Sequence, residues 1–588
     1  MARICLVSAL ISLGIGLFWL GDRPQAATTG SRKPVRLAVV VVFDQMRGDY
    51  VDKWQPLFGT DGFQRIQTDG AWFDHCHYPY GTTTTGPGHS AILSGATLDK
   101  TGIINNEWYD RRSGSALYCA GSDRYQFVPL PKPIVDDVKV VKAEDAIKTA
   151  PKPKSVGNPE RMLAETVADV LKRETKGKGK VFGLSLKDRS AILPTGQRPD
   201  GAFWFTGQFV TSTYYTDVLP KWVERFNQSD AASKWFKKDW SLLRQDISYA
   251  NFSGPDNVKG ESSINGQGIT FPHPMTGGKP ALGKEFYEAL ANSPYGNDLL
   301  LEFAKSCIEN EKLGQDDIPD LLVVSFSSND LIGHTFGPDS QEVLDTTLRS
   351  DLIVADLLNY LDSKVGAGRY SLSITADHGV CPLPEVSVKQ GKDAKRISVT
   401  SLVKAAEQHL RDTYGKPDAP AEAAKPTKAG MWLESASFPW MYLNERNAVA
   451  KGVKPADVAE TLAVWLRKQP DIVAAYSTNQ LQDKLTSDDA ICQMAKRSYF
   501  PGRSGDVYVV MKPYYLISDP VNGRGTTHGS PHDYDRHVPL MVYGPGLKTG
   551  RHNEPTTPQH TAAITAHYLG IPAPKDSMYP VPQMLFER

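Results

Sequence analysis

The chain has 588 residues, 22% of them charged, with 66 basic side chains balanced by 66 acidic ones. That balance excludes a broad electrostatic footprint for nucleic acid or an anionic membrane surface. Length leaves the domain count open, because one large α/β enzyme with inserted segments reaches this size as readily as several small domains.

At the N-terminus Arg3 precedes an apolar run from Ile4 to Leu20, followed by Arg23, Pro24, Ala26 and Ala27. This order predicts a secretory signal peptide over residues 1–27, with an uncleaved anchor as the alternative, and hence a periplasmic or secreted protein. No later stretch has the length and apolar purity of a membrane span, so none is expected in the mature chain. Of six cysteines, Cys5 falls in the leader, leaving Cys76, Cys119, Cys307, Cys381 and Cys492. They are too sparse for a disulfide scaffold and are not spaced as zinc ligands. One or two disulfides are expected, with Cys307, in a helical run from Asp298 to Lys312, as the buried free thiol.

In chain order, short β-branched runs each stop at a polar, chemically capable residue. LAVVVVF from Leu37 to Phe43 ends at Asp44, and VFGLSLKDR from Val181 delivers Lys187 and Arg189. LLVVSF from Leu321 leads to Asp330 and His334, and YSLSIT leads to Asp377 and His378. A further strand follows His537, in HVPLMVYGPG. Continuous apolar runs predict strands buried on both faces, as in a parallel sheet covered by helices. Ligands of open α/β sheets gather beyond the carboxyl ends of the strands, where each of these groups sits, so one shared site is expected.

The stretches 110–180, 191–303 and 382–525 read as insertions into a single catalytic domain over residues 35–588. The last contains helical pieces at Ser401–Tyr414 and Pro455–Lys468, joined by a low-complexity link, Lys416–Gly430.

The stretch YGTTTTGPGHSAILSG, Tyr80 to Gly95, aligns four hydroxyls before a turn and a helix start. Capping is the ordinary role of such residues; a nucleophile held at a strand-to-helix turn is the alternative, and it needs an activator. Three aspartates and three histidines, Asp44, Asp330, His334, Asp377, His378 and His528, suit two borderline divalent ions, Zn²⁺ in particular. Asp330 and His334 lie at i and i+4, which a helical turn brings to one face. His532 rivals His528 in the same Gly-rich stretch; His75 and His77, flanking Cys76, resemble a metal knuckle that alternating strand positions explain equally well, and His89 and His537 read as structural residues or as supports for the ligands.

The order of Asp44, the Thr loop, LIGHTFG, TADHG and THGSPHDYDRHVPL resembles the alkaline phosphatase superfamily. Within it the chain is similar to Thr-nucleophile (PafA-like) alkaline phosphatases, relatives of the nucleotide pyrophosphatase/phosphodiesterases. The resemblance implies a three-layer α/β sandwich and two zinc ions. Asp44, Asp377 and His378 would hold one ion with the nucleophile Thr85, and Asp330, His334 and His528 the other. It implies phosphate-binding roles for Asn106, with Asn105 as the alternative, and for Lys187 and Arg189. Alternation in a strand would place Lys187 and Arg189 on one face, opposite Asp188. Backbone N–H groups of the helix start would also meet phosphate. The expected reaction is hydrolysis of small phosphate monoesters through a phosphothreonine, by a monomer. A phosphodiesterase with the same site and a zinc-binding protein without turnover are the competing readings. A sulfatase fits less well, since Thr stands where that family has Cys or Ser.

Overall fold

The computed structural model describes residues 34–130, 156–417, 430–483, 488–518 and 523–586. The signal peptide expected over residues 1–27 and most of the Lys416–Gly430 link lie outside the described residues.

A ten-stranded sheet forms the centre, in the order Gly550–His552, Ala71–Phe73, Leu540–Tyr543, Tyr370–Thr375, Leu37–Phe43, Asp320–Phe326, Val181–Ser185, Gly201–Phe205, Phe209–Ser212, Phe127–Val128. Its five middle strands, from Tyr370–Thr375 to Gly201–Phe205, are parallel, and antiparallel pairings flank them. Every residue of Leu37–Phe43 and Asp320–Phe326 is buried, as continuous apolar runs covered on both faces require. Each such Val or Leu contributes about 1.5–3 kcal/mol of burial free energy. Helix Pro294–Glu311 packs on Asp320–Phe326 and Val181–Ser185, and helix His560–Leu569 on Leu37–Phe43 and Tyr370–Thr375.

Register aims the chemistry. Val42 pairs with both Ser325 and Thr375, so the residues after these three strands leave the sheet at one level. Asp44, the segment leading to Asp330, and Asp377 all emerge there.

Two stretches that read as insertions also feed the sheet, since Gly201–Phe205, Phe209–Ser212 and Phe127–Val128 are its last three strands, with Phe127–Val128 at the edge. Their brevity and aromatic content hid them among loop-like residues. The stretch 382–525 builds a four-stranded antiparallel sheet from Leu433–Ser437, Trp440–Leu443, Val507–Met511 and Ile472–Ser477. Helices Val399–Tyr414 and Pro455–Leu466 pack on it around a separate apolar cluster. Ser398 caps the first by accepting from the Ser401 N–H, and Pro455 opens the second, where a missing N–H costs nothing.

The disulfide expectation is corrected. No disulfide joins Cys76, Cys119, Cys307, Cys381 and Cys492, all of which are buried. They are dispersed over different elements, and burial pushes the thiols of Cys76 and Cys307 above their ordinary pKa, as expected of inert core residues.

Candidate active site

Asp44 follows its strand directly, and its backbone N–H still donates to Phe326 O at 3.1 Å. Asp330 and His334 lie in helix Ser328–Phe336, whose turn brings His334 Nε2 to 3.1 Å from Asp330 Oδ1. His528 Nε2 approaches the same oxygen at 3.5 Å. His378 Nε2 is 3.5 Å from Asp44 Oδ1 and 3.3 Å from Asp377 Oδ2. The rings of His378 and His528 stack, with centroids 3.5 Å apart.

These side chains make two overlapping donor groups, Asp330/His334/His528 and Asp44/Asp330/His378, in each of which the ligand atoms lie within 4.8 Å of one another. Asp377 joins through its contact with His378. Each imidazole is oriented by a backbone carbonyl at Nδ1: Thr526 O for His334 (2.7 Å), Thr83 O for His528 (2.8 Å) and Gly379 O for His378 (2.9 Å). That partnership puts the proton on Nδ1 and turns the Nε2 lone pair inward, the arrangement of ligating histidines.

Burial and mutual charge set the titration of the site. Burial, then the neighbouring carboxylates Asp377 and Asp330, push the Asp44 carboxyl well above its ordinary range, against Lys187. Burial acts the same way on Asp330, but His334 and Lys187 outweigh it and hold that carboxyl well below. Asp377 is also held low, by His378 and His89 against burial. Burial pulls His378 down to about 3, so its imidazole is neutral, and it lowers His528 too. Asp44 Oδ1 and Asp377 Oδ2 are buried without a hydrogen bond. Burial acts on His334 as well, but Asp330 outweighs it, with Lys187 opposing, and raises that ring, so the lowered imidazoles are those of His378 and His528. Three carboxyl groups, these two rings and two orphaned oxygens are a donor set that fits a divalent metal.

Thr85 opens helix Thr85–Ile92 and is buried. Its Oγ1 lies 3.4 Å from His378 Nε2 and 3.3 Å from an Arg189 guanidinium nitrogen. The other threonines are spent elsewhere. Thr83 Oγ1 donates to Ser530 O, and Thr84, at the N-cap position, donates to Asn105 Oδ1 instead of accepting from the helix. Of the helix-start N–H groups expected to meet phosphate, Gly86 N donates to Asn106 Oδ1 at 2.6 Å and Gly88 N to Thr84 O, and Pro87 has none, which leaves the Thr85 N–H as the one the expectation rests on.

Two neighbouring amides divide the work. Asn105 uses both ends, its oxygen for Thr84 and the Asn106 N–H and its nitrogen for Phe438 O. Asn106 uses its oxygen on Gly86, beside Thr85.

Lys187 and Arg189 do not alternate along a strand. The strand ends at Ser185, Lys187 precedes helix Asp188–Ile192, and Arg189 lies in its first turn. The chain bends because Ser185 Oγ accepts the Lys187 N–H and Asp188 Oδ1 the Arg189 N–H. Both cations still reach the site. Lys187 Nζ stands between Asp44 Oδ2 (2.6 Å) and Asp330 Oδ2 (2.5 Å), and the Arg189 guanidinium also bonds Tyr118, whose hydroxyl donates to Asp188.

Sequence reasoning missed Gln45. Its N–H donates to Asp377 Oδ1 (3.1 Å) and its Nε2 to Asp330 Oδ1 (2.6 Å), joining carboxylates of both donor groups. It lies at φ 70°, a turn that swings it back over the site; its position right after Asp44 was the available signal. His89 is a support, with Nδ1 facing Thr85 O and Nε2 facing Ser325 Oγ. His532, the rival of His528, bonds Met511 O, and His537 bonds Asp74 O; neither joins the donor groups around Asp330.

Residues 38–535 match the family described as type I phosphodiesterase / nucleotide pyrophosphatase. The chain is 32% identical to the alkaline phosphatase PafA of Elizabethkingia meningoseptica, over 96% of this chain and 97% of that one. It is 30% identical to a protein of Myroides odoratus named calcium-transporting ATPase, over 92% and 93% of the two chains. The crystal structure of wild type alkaline phosphatase PafA superposes with a TM-score of 0.82 at 30% identity, covering 95% of this chain and all of that one. The chain thus belongs to the type I phosphodiesterase / nucleotide pyrophosphatase family, within the alkaline phosphatase superfamily.

Proposed function

We propose that this chain is an exported, metal-dependent alkaline phosphatase that hydrolyses small phosphate monoesters through a phosphothreonine at Thr85. The observation that carries this reading is the Thr85 hydroxyl lying between His378 Nε2 and Arg189, beside two Asp/His donor groups. Similarity to PafA supports the activity.

Asp44, Asp377 and His378 would hold one zinc ion and Asp330, His334 and His528 a second; bound there, they would supply Lewis acidity favouring a deprotonated alcohol and offsetting charge on the departing oxygen. Thr85 Oγ1 attacks phosphorus in line, forming the Thr85 O–P bond as the bond to the leaving alcohol breaks. Water then attacks the phosphothreonine from the opposite side, releasing inorganic phosphate and restoring the hydroxyl. Arg189 grips phosphoryl oxygens beside Thr85, and the Asn106 amide nitrogen donates to another. Lys187, relieved of Asp44 and Asp330 once those carboxylates ligate cations, adds a second positive charge. Two cations favour a dianionic monoester over a monoanionic diester. We read residues 35–588 as a single catalytic domain, monomeric, in the periplasm or outside the cell.

Diester hydrolysis is the second reading, favoured by a recess of about 100 Å³ lined partly by Thr84, Phe438, Tyr515, Ile517 and His528, where an apolar substituent fits. The test measures kcat/KM for phenyl phosphate and a phenyl diester with the parent and Thr85→Ala. Expected are monoester preference and loss of turnover in the folded variant. Full activity of Thr85→Ala would remove the nucleophile, and diester preference would favour the second reading.

A further inference from the structure

A second imidazole cluster shares no residue with the donor groups around Asp330. His77 and His537 face each other across an antiparallel bridge. The flanking hydrogen bonds, Tyr78 N to Arg536 O (3.1 Å) and Val538 N to Cys76 O (3.0 Å), make them a non-hydrogen-bonded pair. Side chains approach most closely at such a pair and lean to the same side. Their rings are nearly parallel, at 10°, with centroids 4.6 Å apart.

Asp533 completes the group. It begins the short helix Asp533–Arg536, and the His537 N–H closes that turn on Asp533 O at 2.8 Å, so the two side chains share a side. Asp533 Oδ1 lies 2.8 Å from His77 Nε2. One ligand atom from each of the three residues lies within 4.8 Å of the others.

The ring of His537 is held for the task. Its Nε2 is engaged with Asp74 O at 2.8 Å, which leaves Nδ1 as the lone-pair nitrogen, and the ring rests on Gly48, where a Cβ would collide with it. A backbone carbonyl on the far nitrogen is the support ligating histidines ordinarily have. The His77 side chain is 26% exposed and that of Asp533 76%, so an ion has an open approach and solvent can fill remaining coordination positions.

We propose that His77, Asp533 and His537 form an accessory site for a divalent transition metal of the Zn²⁺, Co²⁺ or Ni²⁺ class. Two imidazoles and a carboxylate suit these ions rather than Ca²⁺ or Mg²⁺. Binding replaces the hydrogen bond between His77 and Asp533 with two metal bonds and releases any shared proton to solvent. The site clips the segment at Cys76–Tyr78 to the helix that follows the His528 loop, so its occupancy stabilises that part of the fold.

The test is equilibrium dialysis of the metal-replete protein against buffered micromolar free Zn²⁺, with bound metal counted per chain. The parent is expected to hold one ion more than the double variant His77→Asn/His537→Asn, and to gain melting temperature with added Zn²⁺ where the variant does not. Equal metal content in parent and variant would overturn the proposal. Asp533→Asn, an exposed change that leaves packing intact, serves if the double variant fails to fold. Loss of a ligand should weaken the accessory ion by about tenfold or more, since even supporting residues cost about 10–100-fold. Unchanged affinity in Asp533→Asn would overturn the three-ligand site. Counting ions and melting temperatures makes the result independent of hydrolytic activity.

Discussion

Gly88→Ala is the most exacting perturbation of the proposed centre, because it adds one methyl and removes no chemical group. Gly88 lies in the helix opened by Thr85, and a Cβ there would sit 2.6 Å from Asp377 Cβ and closer still to the Asp377 carbonyl. Comfortable carbon–carbon separation is about 3.5 Å or more, so the helix and the Asp377–His378 turn must part by about 1 Å. Alanine offers up to about 1 kcal/mol of helix propensity over glycine, while overpacking costs about 1–3 kcal/mol, leaving a net loss of stability that a well-packed domain tolerates. Catalysis has less slack: a misplacement of about 1 Å between reacting groups costs on the order of 100-fold. We expect kcat/KM for phenyl phosphate to fall by about that factor, with a folded circular-dichroism spectrum and a melting temperature lowered by a few degrees. Parental kcat/KM in the variant would refute the premise that the close fit of helix and turn sets the position of Thr85.

Chelation should abolish hydrolysis and lower the melting temperature, both restored by Zn²⁺, because ligation contributes about 2.7 kcal/mol at free metal 100 times Kd; undiminished turnover after complete metal removal would sink the metal-dependent reading. Arg189→Ala should lower monoester kcat/KM by about 10–100-fold, the value of a charge-assisted hydrogen-bond pair, and diester kcat/KM by less; equal losses would deny Arg189 its proposed role in discrimination. Burial, reinforced by Glu342 and Asp256, pushes the buried carboxyl of Glu261 up from 4.5 to about 8. The unfolded chain therefore loses this proton near pH 4.5 and the folded chain near pH 8, so the group's contribution to stability falls as pH rises between those values and is level above them. Glu261→Gln should thus gain stability relative to the parent as pH rises from 5 to 8 in urea titrations; a constant difference would contradict the assignment.

The middle of the sheet was legible because Leu37–Phe43, Asp320–Phe326 and Tyr370–Thr375 are unbroken apolar runs, a pattern that two-sided burial imposes. Phe127–Val128 and Gly201–Phe205 were not, since the first has two residues and the second begins on glycine, too little to register as a period. Asp44, Asp330 and Asp377 stood out as strand-end carboxylates, and His334 by its spacing from Asp330. The bend between Ser185 and Asp188 was hidden because side-chain-to-backbone hydrogen bonds there override alternation. Gln45 was hidden for another reason: its role depends on a left-handed backbone and on partners far along the chain. The threonine loop read as capping residues, yet Thr83 and Thr84 serve Ser530 and Asn105 because residues distant in sequence offer better partners.

The donor groups draw on residues from 44 to 528, and the loop before Thr85 is itself tied to His528 through the Thr83 carbonyl. A growing chain therefore carries clustered acids through most of its synthesis with only part of their neutralising company. Under the proposed assignment the Asp44/Asp377/His378 group is complete by residue 378 whereas the Asp330/His334/His528 group waits for residue 528, so a product shortened before that point would keep most of the central sheet while lacking one donor of the second group.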